Sequence, residues 1–541
     1  MRRRSFLIGA ATATVAGAAG YYRSRIVEVP AQVHYPGMET GHHLRDGTAL
    51  PSSAADRQHD VAILGSGVAG LSCAWKLARE GHRHFVVVQG PEFGGNAAGG
   101  QFEDLAYPTG AHYLPLPSWE SAHVREMLAD FGIIQDGANT EHPYYHESIL
   151  AHSPQERLYR HGRWESDLLP MTGLPEADVA QHLRFIAYTE MLRTARGQDG
   201  RKVFAIPLSL SSQDAVWREL DTLTFRQWLE RERYTSPALL WYLNYCTRDD
   251  YGAGIDTVSA WAGLHYFASR DGHAVNAADG AVLTWPDGLA SLSRMMCDAI
   301  TRKLGHTNWL LPGTAAQITE ARGKVEVLCV DNHASAYTVH AQRVVCAMPL
   351  FVAQRLLPDI RAYGYDPAIH TSPHAAWLVS NFVMDGYPKE AEGEPLSWDN
   401  VVYQGNALGY VVSTHQLLRV APSPRTVFSA YQALSRFTPA QARDWLTRAS
   451  PEALRAEAVT DLLTAYGDEF WRHTQRLDIT VRGHAMATPV PGYLSNRGLT
   501  ALQEADGAVL FAHADLSGYS VFEEASWWGI RAAGRILGGI G

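Results

Sequence analysis

Residues 61 to 70 read VAILGSGVAG, and the order of those residues decides the fold. Val61-Ala62-Ile63-Leu64 is a short apolar run bounded by a polar residue and a glycine, the pattern of a strand buried on both faces of a parallel sheet. It leads directly into G-x-G-x-x-G, Gly65 to Gly70. In that motif Gly65 permits a tight turn, Gly67 lets backbone come close to a pyrophosphate, and Gly70 lets a helix pack against the strand it follows. The helix start, at Val68 and Ala69, would present unpaired N–H groups to phosphates. Downstream, Val68, Leu71, Trp75 and Ala78 recur at spacings of three and four, giving one apolar helix face that Gly81 closes. Phe85-Val86-Val87-Val88 is then a second buried strand. Strand, glycine turn, helix and strand within about thirty residues predict a right-handed βαβ unit, the setting in which the glycine motif becomes a strong signal.

The residue after the second strand is Gln89, where a dinucleotide fold normally places an acid on the cofactor's ribose. A glutamine amide can still donate to one hydroxyl and accept from another, without charge assistance. The loss is about 1 to 2 kcal/mol, which weakens one contact and leaves the site standing.

The whole chain narrows the function further. It has 541 residues, 46% hydrophobic and 19% charged, which is enough for more than one domain with substantial cores. The net charge of -10, with no basic run beyond the first four residues, argues against a nucleic-acid partner. Five scattered cysteines include no CxxC pair and read as buried small hydrophobes. The 24 histidines include HPYYH, residues 142 to 146, but no HExxH, and no metal site is predicted.

The N-terminus, MRRRSFLIGAATATVAGAAG, places Arg3 and Arg4 before Ser5-Phe6-Leu7 and a weakly apolar run. That order resembles a twin-arginine export signal and predicts a periplasmic or otherwise exported protein that engages the twin-arginine machinery. The run is either cut near Ala16-Gly17-Ala18 or kept as a membrane anchor.

Residues 21 to 58 are rich in Pro, Gly, His and Ser and are expected to be a leader, with folding beginning at Asp60. From about 120 to 280 the signals are mainly helical, with Ser118 as an expected N-cap for residues 118 to 131 and a helix over 220 to 232. GKVEVLCVD and YTVHAQRVVCAM return to β-branched patterning around a hairpin turn at Arg322-Gly323-Lys324. Another helical stretch covers about 437 to 477. It is followed by a strand-like GAVLFA, residues 507 to 512, and a closing helix from Glu523 to Leu537.

Taken together, four blocks resemble the FAD-dependent amine oxidase and phytoene desaturase superfamily. They are VAILGSGVAG through FVVVQGPEFGGNA, TGAHYL at 109 to 114, AQRVVCAMPLFVAQRLLP at 341 to 358, and VLFAHADLSGYSVFEEASWWGIRAAGRIL at 509 to 537. The resemblance implies an α/β protein with a discontinuous Rossmann-type FAD-binding domain and an interleaved, mainly helical substrate domain. The implied FAD parts are 59 to 120, 281 to 365 and 481 to 541, after a signal at 1 to 20; the implied substrate parts are 121 to 280 and 366 to 480.

The residues carried over as cofactor-binding are Gly65, Gly67, Val68, Ala69, Gly70, Gln89 and Gly90, then Gly94, Gly95, Asn96, Gly110 and Ala111, and finally Asp515, Phe522 and Glu523. Asp515 is expected near the ribityl chain or pyrophosphate. The backbone at Phe522 and Glu523 is expected to face negative charge on the reduced flavin. His112 and Tyr519 are the candidate catalytic side chains, one a polar lining group and the other an aromatic wall. Trp285-Pro286-Asp287-Gly288 matches a segment re-entering the FAD domain, or alternatively Trp285 simply packs.

Departures from the family pattern bear on chemistry. No cysteine in the C-terminal block is placed for covalent attachment, so FAD is expected to be noncovalent. The five lysines, Lys76, Lys202, Lys303, Lys324 and Lys389, lie in no matching context for the lysine many amine oxidases use beside the flavin. The resemblance therefore implies an FAD-dependent oxidoreductase acting on a small amine or similar reduced compound, with oxygen or another acceptor taking the electrons. Two alternatives are a desaturase or isomerase of an isoprenoid or lipid, and a flavin-binding scaffold without catalysis.

Overall fold

The computed structural model describes residues 29–151, 155–321, 323–417 and 423–538. The export signal expected at residues 1 to 20 lies outside them. The glycine motif does what its residues require. Asp56–Leu64 (β1) runs into Gly65, whose φ of +116° only glycine adopts readily. Val68–Arg79 (α1) follows, then Phe85–Val88 (β2). β1 and β2 pair in parallel with Val61 opposite Phe85 and Leu64 opposite Val88. Every residue of β2 is buried, as its unbroken apolar run demands.

The rest of this sheet comes from distant sequence. Leu310–Leu311 (β3) pairs parallel with β2 on one side. Thr314–Ala321 (β4), Lys324–Val330 (β5) and Ala336–Cys346 (β6) form an antiparallel meander, with Ala321 opposite Lys324 across the predicted hairpin turn. β6 also lies parallel to β1, and its last residues, Val344 to Cys346, pair with Val509–Phe511 (β7). The parallel order is therefore β3-β2-β1-β6-β7, the α/β architecture implied by the sequence.

Phe522–Ile536 (α2) packs along α1. Their crossing is close because Gly529 has no side chain: a Cβ there would stand 2.1 Å from the Ala69 carbonyl oxygen. The same holds for α1 on its own turn, where a Cβ on Gly70 would stand 1.9 Å from the Gly65 oxygen. Leu71, Trp75 and Leu77 of α1 join β1 and β2 in one apolar core, each such side chain contributing about 1.5 to 3 kcal/mol by leaving water.

The interleaved half holds more strand than its sequence suggests. An eight-stranded sheet is built around His374–Asp385, Arg425–Ala433 and Thr474–Ala487, with its outer strands reaching back to Glu156–Arg160 and Arg163–Ser166. The strand His374–Asp385 is buried at every position but its last; with no alternation of apolar and polar residues, a run like this cannot be told from a buried helix by periodicity. Helices from Pro439 to Ala458 cover one face of the sheet and share its core. Residues 176 to 268 form a separate helical core dense in aromatic rings.

Three local expectations change. Residues 31 to 46, expected as leader, carry the edge strand Ala31–His34, parallel to Leu477–Thr480, and the helix Met38–Asp46. That helix buries none of its residues, so it leaves no apolar stripe to read. Ser118 makes no cap: its hydroxyl has no partner among the described residues, and a short 3-10 turn precedes the helix Ala122–Asp130. The helix expected over 220 to 232 is instead a turn followed by Phe225–Arg231, started by a capping box between Thr224 and Gln227.

Candidate active site

One continuous cavity of about 960 Å³ runs between the glycine turn and the eight-stranded sheet. At one end it is lined by Gly65, Gly67, Val68 and Ala69, with Gln89 and Gly90 beside them. The α1 N-cap is Gly67, so no side chain satisfies the first N–H groups of that helix. A Cβ on Gly67 would meet no heavy atom within 4 Å, so the backbone here leaves clear room for a ligand's phosphates. Gln89 is pinned through its backbone, its N–H donating to the Leu311 carbonyl at 2.9 Å and its own carbonyl accepting from the Ser66 hydroxyl at 2.7 Å. Gly70 does not line the cavity; it acts one layer back, holding α1 against the turn.

The middle of the cavity passes Gly94, Gly95 and Asn96 and then Gly110 and Ala111. The Ala111 N–H donates to the Asn96 carbonyl at 2.7 Å, fastening these two segments together. Arg482, from the strand Thr474–Ala487, lies against both: its Nε donates to the Thr109 carbonyl at 2.8 Å and its guanidinium pairs with Glu92 at 2.9 Å. Cofactor loop and second sheet are thus tied by one ion pair. The Trp285–Gly288 turn also abuts this region, the Leu289 N–H donating to the Ala111 carbonyl at 3.0 Å, while the Trp285 ring itself is buried in the core.

The far end is aromatic and charged. The His112 ring stacks on Tyr431 at 4.3 Å and meets Tyr113 edge-on at 4.9 Å. Burial pushes the His112 imidazole down to about 3, so it is neutral at physiological pH. Trp377 stands edge-on to Tyr431 at 6.4 Å. The Tyr113 hydroxyl donates to Asp249 at 3.0 Å. Asp250 is ion-paired with Arg270, and Arg270 also lies over the Tyr266 ring at 5.0 Å. Asp249, Asp250 and Arg270 all line the cavity. Sequence reasoning missed them because they come from unrelated stretches with no spacing signal; the adjacent acids of RDDY, 248 to 251, at the end of a helix were the nearest thing to one.

Phe522 and Glu523, at the start of α2, reach the same cavity, and α2 too begins without a side-chain cap. Two helix N-termini therefore open into one space, each with peptide dipoles that favour negative charge. Glu523 is only 3% exposed, and burial first, then the neighbouring acids Asp250 and Glu524, push its carboxyl up to about 7 against the pull of Arg270.

Two expected site residues lie elsewhere. Tyr519 is buried outside the cavity lining in the helical core, where its hydroxyl donates to Glu524 at 2.8 Å. It supplies no wall to the cavity; Tyr431 and Trp377 do. Asp515 is also buried away from the lining, accepting from the Leu350 N–H at 2.9 Å and pairing with His374 at 3.1 Å and His513 at 3.2 Å. Burial alone would raise its carboxyl, yet the two histidines hold it well below the usual range. It is a structural anchor for the turn before α2.

The residues present fit a dinucleotide flavin: uncapped helix starts at two places on one cavity and an open cradle at Gly67.

The family model for flavin containing amine oxidoreductases matches residues 68–537. No curated protein matches the chain in sequence. Among solved structures, a wild-type putrescine oxidase bound to putrescine superposes with a TM-score of 0.59 at 16% identity, covering 89% of this chain and 100% of that one. Cyclohexylamine oxidase from Brevibacterium oxydans gives a TM-score of 0.60 at 18% identity over 89% of this chain and 99% of that chain. A fatty acid isomerase from P. acnes that produces CLA gives 0.56 at 17% identity, covering 88% and 98%. At such identities these likenesses establish the fold.

Proposed function

The chain belongs to the flavin-containing amine oxidoreductase family and is an FAD-dependent oxidoreductase, and from that premise we propose that it is an exported enzyme oxidising a small amine by hydride transfer to noncovalently bound FAD. The observation that carries the amine reading is the cavity itself, whose far end joins neutral aromatic faces to the carboxylate of Asp249.

Bound FAD supplies the two-electron acceptor, which oxygen or another oxidant then regenerates. The protein contributes placement. The bare N–H groups of Val68 and Ala69 would hold the pyrophosphate, and the Gln89 amide would contact the adenosine ribose. The start of α2, at Phe522 and Glu523, would stabilise negative charge on the reduced cofactor. His112, Tyr431 and Trp377 exclude water and give the substrate a flat apolar seat. Arg270 is ion-paired with Asp250, which fixes the helix end that presents Asp249.

The lipid isomerase alternative draws on the likeness to the fatty acid isomerase. The charged groups at the far end of this cavity disfavour a wholly apolar acyl chain, so the amine reading stands first.

The test is the visible spectrum of the purified full chain before and after acid precipitation. Flavin bands that pass entirely into the supernatant, and that bleach on anaerobic addition of an amine, support the reading; a folded, colourless protein that takes up no FAD sinks it. Export through the twin-arginine route is tested by exchanging Arg3→Lys and Arg4→Lys together, which should trap the protein in the cytoplasm.

A further inference from the structure

The carboxylates of the cavity are not equivalent. Glu92 is paired with Arg482 and Asp250 with Arg270. Asp249 has no ion-pair partner among the described residues, and its carboxylate accepts a hydrogen bond from the neutral hydroxyl of Tyr113. Arg270 is paired with Asp250, and the Arg248 guanidinium donates to the Asn406 carbonyl at 2.5 Å; both pull the Asp249 carboxyl down through space without forming an ion pair with it. Asp399, buried and held well above its usual range, is repelled by both Asp249 and Glu156. Burial and the Asp250 charge bring Asp249 to about 6, so it remains largely ionised at pH 8. Glu523 also lacks an ion-pair partner among the described residues, but at about 7 it carries less charge at any given pH.

Around this carboxylate the walls are faces of neutral rings: His112 on Tyr431, with Tyr113 and Trp377 beside them. Such faces attract cations. The enclosure therefore offers a charge and ring faces to one ligand.

We propose that Asp249 selects the substrate by charge: it holds an organic ammonium ion whose apolar body lies against the ring wall made by His112, Tyr431 and Trp377. This rests on the flavin-site reading above and sharpens it, because it assigns the cation's counter-charge to a residue that makes no ion pair with the arginines near it. Tyr113 is a positioning residue, setting the carboxylate's orientation through its hydroxyl.

The experiment uses the FAD-loaded full chain at pH 8 and reads ligand binding from the flavin difference spectrum, with benzylammonium, benzyl alcohol and benzoate as probes of one shape and three charges. Wild type should bind benzylammonium about tenfold or more tighter than benzyl alcohol, and benzoate weakest. Asp249→Asn should weaken benzylammonium by about tenfold or more while leaving benzyl alcohol within about twofold and flavin content unchanged. Asp249→Ser, a smaller neutral replacement, gives the same readout if the asparagine variant fails to fold, and the wild-type preference stands apart from either variant. Normal flavin binding with no preference for the cation, or an equal loss for both probes in the variants, overturns this inference alone. A wild-type chain that takes up no FAD overturns the flavin-site reading and this inference with it.

Discussion

The two ends of the cavity are built from different materials. The glycine-turn end is backbone: Gly65, Gly67 and the first N–H groups of α1, all within a few residues of one another. The aromatic end is side chains, and they come from four separate stretches of the chain, around residues 112, 249 to 270, 377 to 431 and 523. A backbone site tolerates any side chain that stays out of the way and fails when one intrudes. A side-chain site fails when a partner is removed and a charge is stranded.

That contrast can be broken most forcefully at Arg270. Arg270→Leu leaves Asp250 buried without its counter-charge, and the protein should lose about 3 to 5 kcal/mol of stability, measured by denaturant unfolding. A loss below 1 kcal/mol would mean the pair is not what holds the aromatic end. The matching break at the other end is Gly70→Ala, which adds one methyl 1.9 Å from the Gly65 oxygen. The turn must shift, costing about 3 kcal/mol, and FAD content should fall with it. Normal flavin loading in that variant would contradict the packing role given to Gly70.

Glu523 sharpens the comparison through pH. Its folded carboxyl, at about 7, lies above its ordinary value of 4.5, so between those limits the folded state holds a proton that the unfolded state has lost. Stability of the flavin-free protein therefore falls as pH rises from about 4.5 to about 7 and changes no further above that. Glu523→Gln should flatten this slope by up to about 3 kcal/mol across the window, and chemical denaturation at several pH values reads it. A slope identical to wild type would place the proton elsewhere. The smallest effect expected is at Gln89: Gln89→Ala should cost about 1 kcal/mol of FAD affinity, roughly fivefold, with the fold intact. Isothermal titration of the apoprotein decides it.

The same contrast explains what could be read from the sequence. The βαβ unit and its glycines were legible because strand, turn and helix are neighbours in sequence and each leaves its own periodicity. The closing block was legible for a similar reason, since α2 is amphipathic and meets α1 at a glycine. The eight-stranded sheet was hidden because strands such as His374–Asp385 are buried on both faces and show no alternation. Asp249 was hidden because nothing in RDDY distinguishes the acid that is ion-paired from the acid that is not; that difference lies in Arg270, which arrives from the segment just after the next helix, Ala260–Ala268. Tyr519 misled for the converse reason. It lies a few residues from the start of α2, yet its ring turns into the helical core to serve Glu524.

The parallel sheet takes its strands from residues 56 to 88, 310 to 346 and 509 to 511, and α2 ends at Ile536. A chain emerging from the ribosome therefore displays its glycine turn several hundred residues before the helix that faces it exists. Through most of synthesis, α1 has neither the glycine groove of Gly529 to pack in nor a second helix start across the cavity. Cofactor loading must consequently be a late event in the life of the polypeptide, and a truncated translation product that stops short of β7 would carry the motif and hold no flavin.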